Sequence, residues 1–552
     1  MRRRGLITAA ATLAGLAALI WAPGAMALGL TDLSAAPTNV AAGAHSDFKV
    51  HIGVTEQTDD IKDLTIHLPP GMVGDPTGPT VCTVEDLNAD ACADTSQVGT
   101  SSSNALLLDL VPLTVSGEIF NITAQEGEPA RFGIVLHPPV GSPIVLQSAA
   151  QLRGSDFGLD TVLNDLPNTA NGLGISITSL DITLFGTANG QPFMRNPTSC
   201  DAKTVSFEAT SYAGGEDEPV TGSAPSFTPT DCDELPFSPD LSAEIGAPGL
   251  TDTDTHPPLT TVIEQEETEA GLKRAEVILP ASTQPNNNAL GHQCLEADFD
   301  AGNCAADTKI GSAVASSPLL TVPLTGSAYL LQRGGGLGVG LDLQGPLALK
   351  LKGTFVFTPE LRTGNLFEGL PDIPISEFAL TIDGGANGLL TAARGLCDPP
   401  ASVLDATFDG HNGAHLVQSP EATIVGCAPP SPPTAQIRLR RPNSKRPALD
   451  LDVEAGSEPV ELVRLRLPKG FRFASGAAFT GGAEATVDGS TADDDILSAS
   501  RRRVTVDPTG ADDSVELSVG DGALRRVEGR PKPFRVKVID GDDQTFRFRL
   551  RP

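Results

Sequence analysis

Tryptophan and tyrosine are almost missing from this chain. Its one tryptophan is Trp21, inside the N-terminal apolar stretch, and its only tyrosines are Tyr212 and Tyr329. Sugar-cleaving sites commonly grip their rings on Trp or Tyr faces, so the scarcity weighs against a glycosidase, plentiful though paired carboxylates are. No serine has glycine at both −2 and +2, which removes the nucleophile elbow. After residue 27 no apolar run approaches the roughly 20 residues that a membrane-crossing helix needs, so no membrane span is expected in the mature chain. Long helices are excluded too, because 57 glycines and 45 prolines place turns every few residues. Positive charge is also short: 38 Lys and Arg face 69 Asp and Glu. Such an acidic body repels nucleic acid and keeps a protein soluble.

What is present begins with an export signal. Arg2-Arg3-Arg4 precedes an apolar stretch from Leu6 to Ala22, and Ala25-Met26-Ala27 is a small-x-small cleavage site. Residues 1–27 therefore read as a secretory signal peptide, which places the mature chain outside the cytoplasmic membrane, secreted or at the cell surface.

All eight cysteines follow it, in two sets of four: Cys82, Cys92, Cys200, Cys232 and Cys294, Cys304, Cys397, Cys427. The stretch from Cys82 through Cys92-Ala93-Asp94-Thr95-Ser96-Gln97-Val98-Gly99 returns as Cys294 through Cys304-Ala305-Ala306-Asp307-Thr308-Lys309-Ile310-Gly311, offset by 212 residues at both cysteines. The repeat continues with Ile177 to Leu184 answering to Ile375 to Ile382, and Cys200-Asp201 to Cys397-Asp398. Two homologous blocks follow from this. An even count in an exported chain implies disulfides, and local closure favours Cys82–Cys92, Cys200–Cys232, Cys294–Cys304 and Cys397–Cys427. Zinc is the rival, but no Cys-x2-Cys spacing or histidine set accompanies any pair.

Alternating apolar and polar residues mark half-buried strands at 48–54 and 63–68. The second ends in Leu68-Pro69-Pro70-Gly71, and similar strand-Leu-Pro endings recur at Leu279-Pro280 and Leu467-Pro468. The expected organisation is a signal at 1–27, β-rich block one at 28–240, β-rich block two at 241–427, a proline-rich linker at 428–434 and a C-terminal module at 435–552. Residues 233–257 read equally as a linker or as the first strand of block two. Seven strands are expected in the module, at about 435–440, 447–454, 460–467, 503–506, 514–519, 534–539 and 545–550. The fold class is thus all-β: two duplicated, disulfide-framed, sandwich-like blocks followed by a small immunoglobulin-like β-sandwich.

The strand-Leu-Pro-Pro-Gly ending, the Cys-x9-Cys loop, Asp94-Thr95-Ser96-Gln97-Val98-Gly99 and the run from Gly127 to Gly133 resemble repeats in large secreted proteins of high-G+C Gram-positive bacteria. The C-terminal module, with its strand-Leu-Pro-Lys-Gly signature, is similar to a β module at the end of such proteins. That family brings no established activity, so the resemblance implies export and architecture alone.

Candidate chemistry is thin. Gly336-Leu337-Gly338-Val339-Gly340 leads into an alternating strand, not a helix N-terminus, so it does not read as a nucleotide loop. His411 and His415 share a glycine-flanked loop without an intervening Glu, a poor metal pair. Structural calcium has hard oxygen donors at Asp493-Asp494-Asp495, Asp512-Asp513 and Asp540/Asp542/Asp543, none in an EF-hand spacing, and no other cofactor is implied.

The surface pattern that stands out is basic. Residues 428–552 carry 21 Lys and Arg against 19 Asp and Glu, the remainder of the chain 17 against 50. Within the module Arg438/Arg440, Arg464/Arg466, Arg535/Lys537 and Arg547/Arg549/Arg551 recur at period two between apolar residues. That period sends the apolar set inward and the cations outward, where they could dock phosphate- or carboxylate-bearing polymers. The expected role is a secreted or cell-surface structural or adhesive protein without catalytic activity, its partner a wall polymer or another surface protein. A secreted binding module for carbohydrate or anionic wall polymer is the alternative, and a secreted hydrolase the distant third.

Overall fold

A computed structural model describes residues 28–55, 59–170, 172–213, 215–427, 431–491, 497–508, 513–520, 522–527, 533–541 and 543–552. The expected signal peptide lies outside these residues. The chain divides into two units, Met1–Cys427 and Ala428–Pro552.

The first unit is built on two long, curled, largely antiparallel sheets, of 12 and 13 strands. In the first, the order from one edge is Gly29–Pro37, Phe48–Thr55, Leu173–Leu184, Gln97–Leu107, Val111–Ile122, Arg131–His137, Ile144–Leu152, Leu159–Leu163, Ile61–His67, Ser206–Ser211 and Gly215–Ser223. In the second it is Asp240–Ile245, Leu259–Glu264, Glu377–Ile382, Lys309–Ser316, Leu324–Arg333, Gly336–Gln344, Leu349–Phe357, Thr363–Glu368, Leu272–Ile278, Asp405–Gly410 and His415–Gln418. Position by position these two orders are the same, so the duplication written in the cysteines extends to the strand order; the second sheet adds one short parallel strand, Thr423–Ile424, beyond Asp240–Ile245. Asp240–Ile245 pairs antiparallel with Leu259–Glu264, which makes the undecided stretch at 233–257 the start of the second sheet.

Each sheet closes around its own apolar face. In the second block the turn is made within one strand. The first half of Leu349–Phe357 pairs with Gly336–Gln344, the second half with Thr363–Glu368, and the sheet folds back into two layers. Between the layers lie Leu341, Leu343, Phe367 and Phe408. The first block buries Phe48, Ile52, Leu64 and Phe207 in the same way.

All four local cysteine pairs are formed: Cys82–Cys92, Cys200–Cys232, Cys294–Cys304 and Cys397–Cys427. The two short loops carry matching contents. A one-turn helix, Val84–Asn88 or Glu296–Asp300, is followed by a 3-10 turn, Asp94–Ser96 or Ala306–Thr308. Thr83 starts the first helix by accepting the Asp86 amide at 3.1 Å. Each helix drives one apolar side chain, Leu87 or Phe299, onto the sheet. The strand beneath has a glycine at that spot: a Cβ on Gly133 would sit 2.5 Å from Leu87, and one on Gly340 would sit 2.8 Å from Phe299. The glycine-rich run at 336–340 is therefore a strand made smooth for a neighbour.

The blocks are joined by buried polar contacts. Asp372 of block two accepts the Thr198 amide at 2.8 Å and the Thr198 hydroxyl, while Thr198 Oγ1 accepts the Gly271 amide at 3.1 Å. Arg195 donates to the Glu269 carbonyl at 2.7 Å. Arg195, Asp372 and Glu269 are all buried. Burial pushes the Arg195 guanidinium below its ordinary value, with Asp372 and Glu267 pulling the other way.

The second unit is a two-sheet sandwich with a small two-stranded ribbon, Phe471–Phe473 with Leu524–Arg526. One five-stranded sheet has the order Thr434–Arg440, Ala448–Glu454, Ser514–Val519, Ala483–Val487, Ser490–Thr491. The other has the order Leu497–Ser500, Arg503–Val506, Val460–Arg466, Phe534–Asp540, Thr545–Leu550. Alternate residues from both meet in one core that includes Leu449, Leu451, Leu465, Val504, Leu517, Phe534 and Val536. Of the expected linker, residues 428–430 lie outside the described residues.

Candidate functional site

Antiparallel register turns the period-two basic pattern into a surface. Because directly opposed residues share a face, each outward position on one strand lines up with an outward position on the next. In the second sheet of the C-terminal unit one such row reads Ser500, Arg503, Arg466, Arg535, Arg549. The next row, two residues along, reads Ser498, Thr505, Arg464, Lys537, Arg547. Seven of these ten positions are cations, the other three are hydroxyls, and none is acidic.

Strand spacing of about 4.8 Å and a two-residue step of about 6.8 Å give the seven charges a lattice of roughly 14 by 7 Å. Among the described residues the seven cations have no carboxylate partner. Arg464 Nε leans on Thr505 Oγ1 at 3.4 Å, the one side-chain hydrogen bond that any of the seven makes among the described residues. Five directly opposed pairs, Arg503–Arg466, Arg466–Arg535, Arg535–Arg549, Arg464–Lys537 and Lys537–Arg547, set like charge against like. Such pairs are unfavourable in a sheet, and an anion placed among them would offset the repulsion. Arginine forks and serine or threonine hydroxyls are the donors that suit phosphate and carboxylate oxygens.

The sequence pattern grouped nine cations, and the fold separates them. Arg438 and Arg440 belong to the other sheet, on the opposite outer face, so they are not part of this surface. There Arg438 stands against Asp450, and Arg440 Nη2 reaches Asp450 Oδ1 at 2.7 Å. Asp452, Glu454, Glu484 and Glu516 share that face with Asp450. Arg551 follows the last strand and is exposed. In exchange the face gains Arg503, which sequence reading passed over because its strand carries Thr505 where the others repeat a cation. The near-neutral charge of this unit thus conceals a strong separation, positive on one face and acidic on the other.

Among the described residues the remaining candidates do not come together. His411 Nε2 bonds the Leu370 carbonyl at 2.9 Å, whereas His415 Nδ1 bonds Asp409 at 2.6 Å. Asp493, Asp494, Asp495, Asp512 and Asp542 lie outside the described residues. Asp540 accepts the Gln544 amide at 2.8 Å and closes a hairpin, and Asp513 donates its amide to Asp488 at 3.0 Å. Among the described residues no cluster of three or more His, Cys, Asp or Glu could hold a metal ion. Among them, too, no helix is long and apolar enough to cross a membrane.

No family model matches this chain, and no curated protein matches it. Among solved structures it is similar to a protein of Corynebacterium diphtheriae described as membrane-anchored, at 8% identity over 95% of this chain and 93% of that one, with a TM-score of 0.15. A score that low carries no argument about fold or function.

Proposed function

We propose that this chain is a structural or adhesive protein of the cell exterior, held there by its C-terminal sandwich. The cationic sheet docks a polymer bearing phosphate or carboxylate groups, and the disulfide-framed blocks project the rest of the molecule. The observation that carries this reading is the ten-position face holding seven cations, three hydroxyls and no acid. A solvated face with no ligand has no reason to collect like charges in opposed pairs while the acids of the same unit gather on the other sheet. Rigid strands fix the spacing of the cations, which favours a repeating polyanion over a single small ion.

Two fragments test it, because the sandwich has its own core and its own sheets. At low salt, residues 431–552 should sediment with purified cell walls or with a polyphosphate matrix, and residues 28–427 should stay in the supernatant. Retention by 28–427 alone would overturn the proposal.

A further inference from the structure

A partly open cavity of about 260 Å³ lies where the second block meets the first. Most of its wall is the facing layers of the folded-back sheet, with Leu341, Leu351, Phe355 and Leu380 among them, and the first block closes the rest with residues that include Phe132 and Phe193. No Asp, Glu, Lys, Arg or His lines it. An apolar cavity this large is poor at holding water, which needs several polar partners, and is suited to an apolar guest.

One place on the wall departs from this. Asn365 stands on the strand Thr363–Glu368, opposite Phe355 on one side and Val277 on the other, and both of those residues line the cavity. Asn365 therefore shares their inward face. Its Oδ1 and Nδ2 are both buried without a hydrogen-bond partner, and so is Oγ1 of its neighbour on the same face, Thr363. Two other polar side chains of the wall are satisfied: Gln265 donates to the Ala270 carbonyl at 2.6 Å and Ser317 to the Pro374 carbonyl at 2.8 Å. A buried amide with neither donor nor acceptor used is costly, and native proteins rarely leave one so without a function. The strand opposite makes room for it, since a Cβ on Gly353 would lie 2.7 Å from Asn365 Oδ1.

We infer that this cavity binds a neutral single-chain lipid, its tail among the leucines and phenylalanines, and that Asn365 and Thr363, whose polar atoms lie tucked behind the wall, turn toward its ester or hydroxyl group. An ester carbonyl accepts from Asn365 Nδ2, and an alcohol donates to Asn365 Oδ1. A carboxylate or phosphate is disfavoured at that depth, because no cation lines the wall to offset its desolvation. A methylene takes up about the volume of a water molecule, roughly 30 Å³, so the cavity holds a tail of about nine carbons. The site is independent of the cationic face.

The test uses the mature chain, residues 28–552, loaded with the neutral fluorophore N-phenyl-1-naphthylamine. Displacement is then measured with monoacylglycerols of increasing length and with decanoate at pH 8. Affinity should climb about fourfold for each added methylene and level off near nine or ten carbons, with monodecanoylglycerol at least tenfold stronger than decanoate. In Asn365→Leu, monodecanoylglycerol should weaken by roughly fivefold to tenfold relative to decane. That variant should also melt at a higher temperature without lipid, because an unpaired amide has been removed, so a folding defect and a lost site are told apart. Failure of the fluorophore to bind, equal affinity for decanoate, or unchanged selectivity in Asn365→Leu would each overturn the inference.

Discussion

Replacing one row of the cationic face, Arg466, Arg503, Arg535 and Arg549, by glutamine gives a prediction whose size follows from the register. A flexible polyanion releases about 0.7 counterion for each charge that is neutralised, so the logarithm of affinity falls with the logarithm of salt at about 0.7 per contact. Seven contacts give a slope near −5, and the three left after the substitution give a slope near −2. Between 50 and 200 mM salt the native unit should therefore lose roughly a thousandfold in affinity for soluble polyphosphate, and the variant only about twentyfold. Fluorescence anisotropy of labelled polyphosphate across that range reads both slopes. The paired variant Arg438→Gln/Arg440→Gln, on the opposite sheet, should keep the steep slope. The row variant should also be no less stable than the native unit, because it removes three opposed like-charge pairs. A slope that stays near −5 without the row, or that falls equally in the Arg438/Arg440 variant, would refute the assignment of the face.

Other consequences concern the first unit. Peptide mapping without reductant should recover the four local cysteine pairs. Removing Cys82–Cys92 should cost about 2.7 kcal/mol and removing Cys397–Cys427 about 3.6 kcal/mol, from the loops each closes, as read by denaturant melts. Asp372→Ala strips a buried acceptor from both Thr198 donors and removes the larger of the two opposing charges near Arg195, leaving Glu267. It should destabilise by about 3–5 kcal/mol, with limited proteolysis opening the junction between the blocks first. Burial holds the His411 imidazole below its ordinary value near 6.5, against the pull of Asp372. The unfolded chain therefore takes up that proton at higher pH than the folded one does, so stability is full above about pH 6.5 and falls as the pH drops below it. His411→Gln should flatten that part of a melting-temperature profile taken from pH 8 to 5.

Much of the fold was legible because period-two alternation and cysteine spacing are local signals. The strands at 503–506, 514–519 and 545–550 have the bounds that alternation alone suggested. The pairing of strands was not legible, since nothing in Arg438-Leu439-Arg440 says that it faces Asp450 while Arg464-Leu465-Arg466 faces Arg535. Arg503 escaped notice for the same reason: it becomes part of a row only when its strand is laid beside Val460–Arg466. The glycines at 133 and 340 are explained only by what the cysteine loops press onto them. Asn365 gave no signal at all, because an isolated Asn between Gly364 and Leu366 reads as an ordinary strand residue until the walls of the cavity are assembled around it.

The most direct test of the central claim is an NMR titration of residues 431–552 with short polyphosphate. Shifts should concentrate on Arg464, Arg466, Arg503, Arg535, Lys537, Arg547 and Arg549, with the hydroxyl positions Ser498, Ser500 and Thr505 following. Shifts centred instead on Arg438, Arg440 and the acids around Asp450, or no saturable shift at low salt, would contradict it.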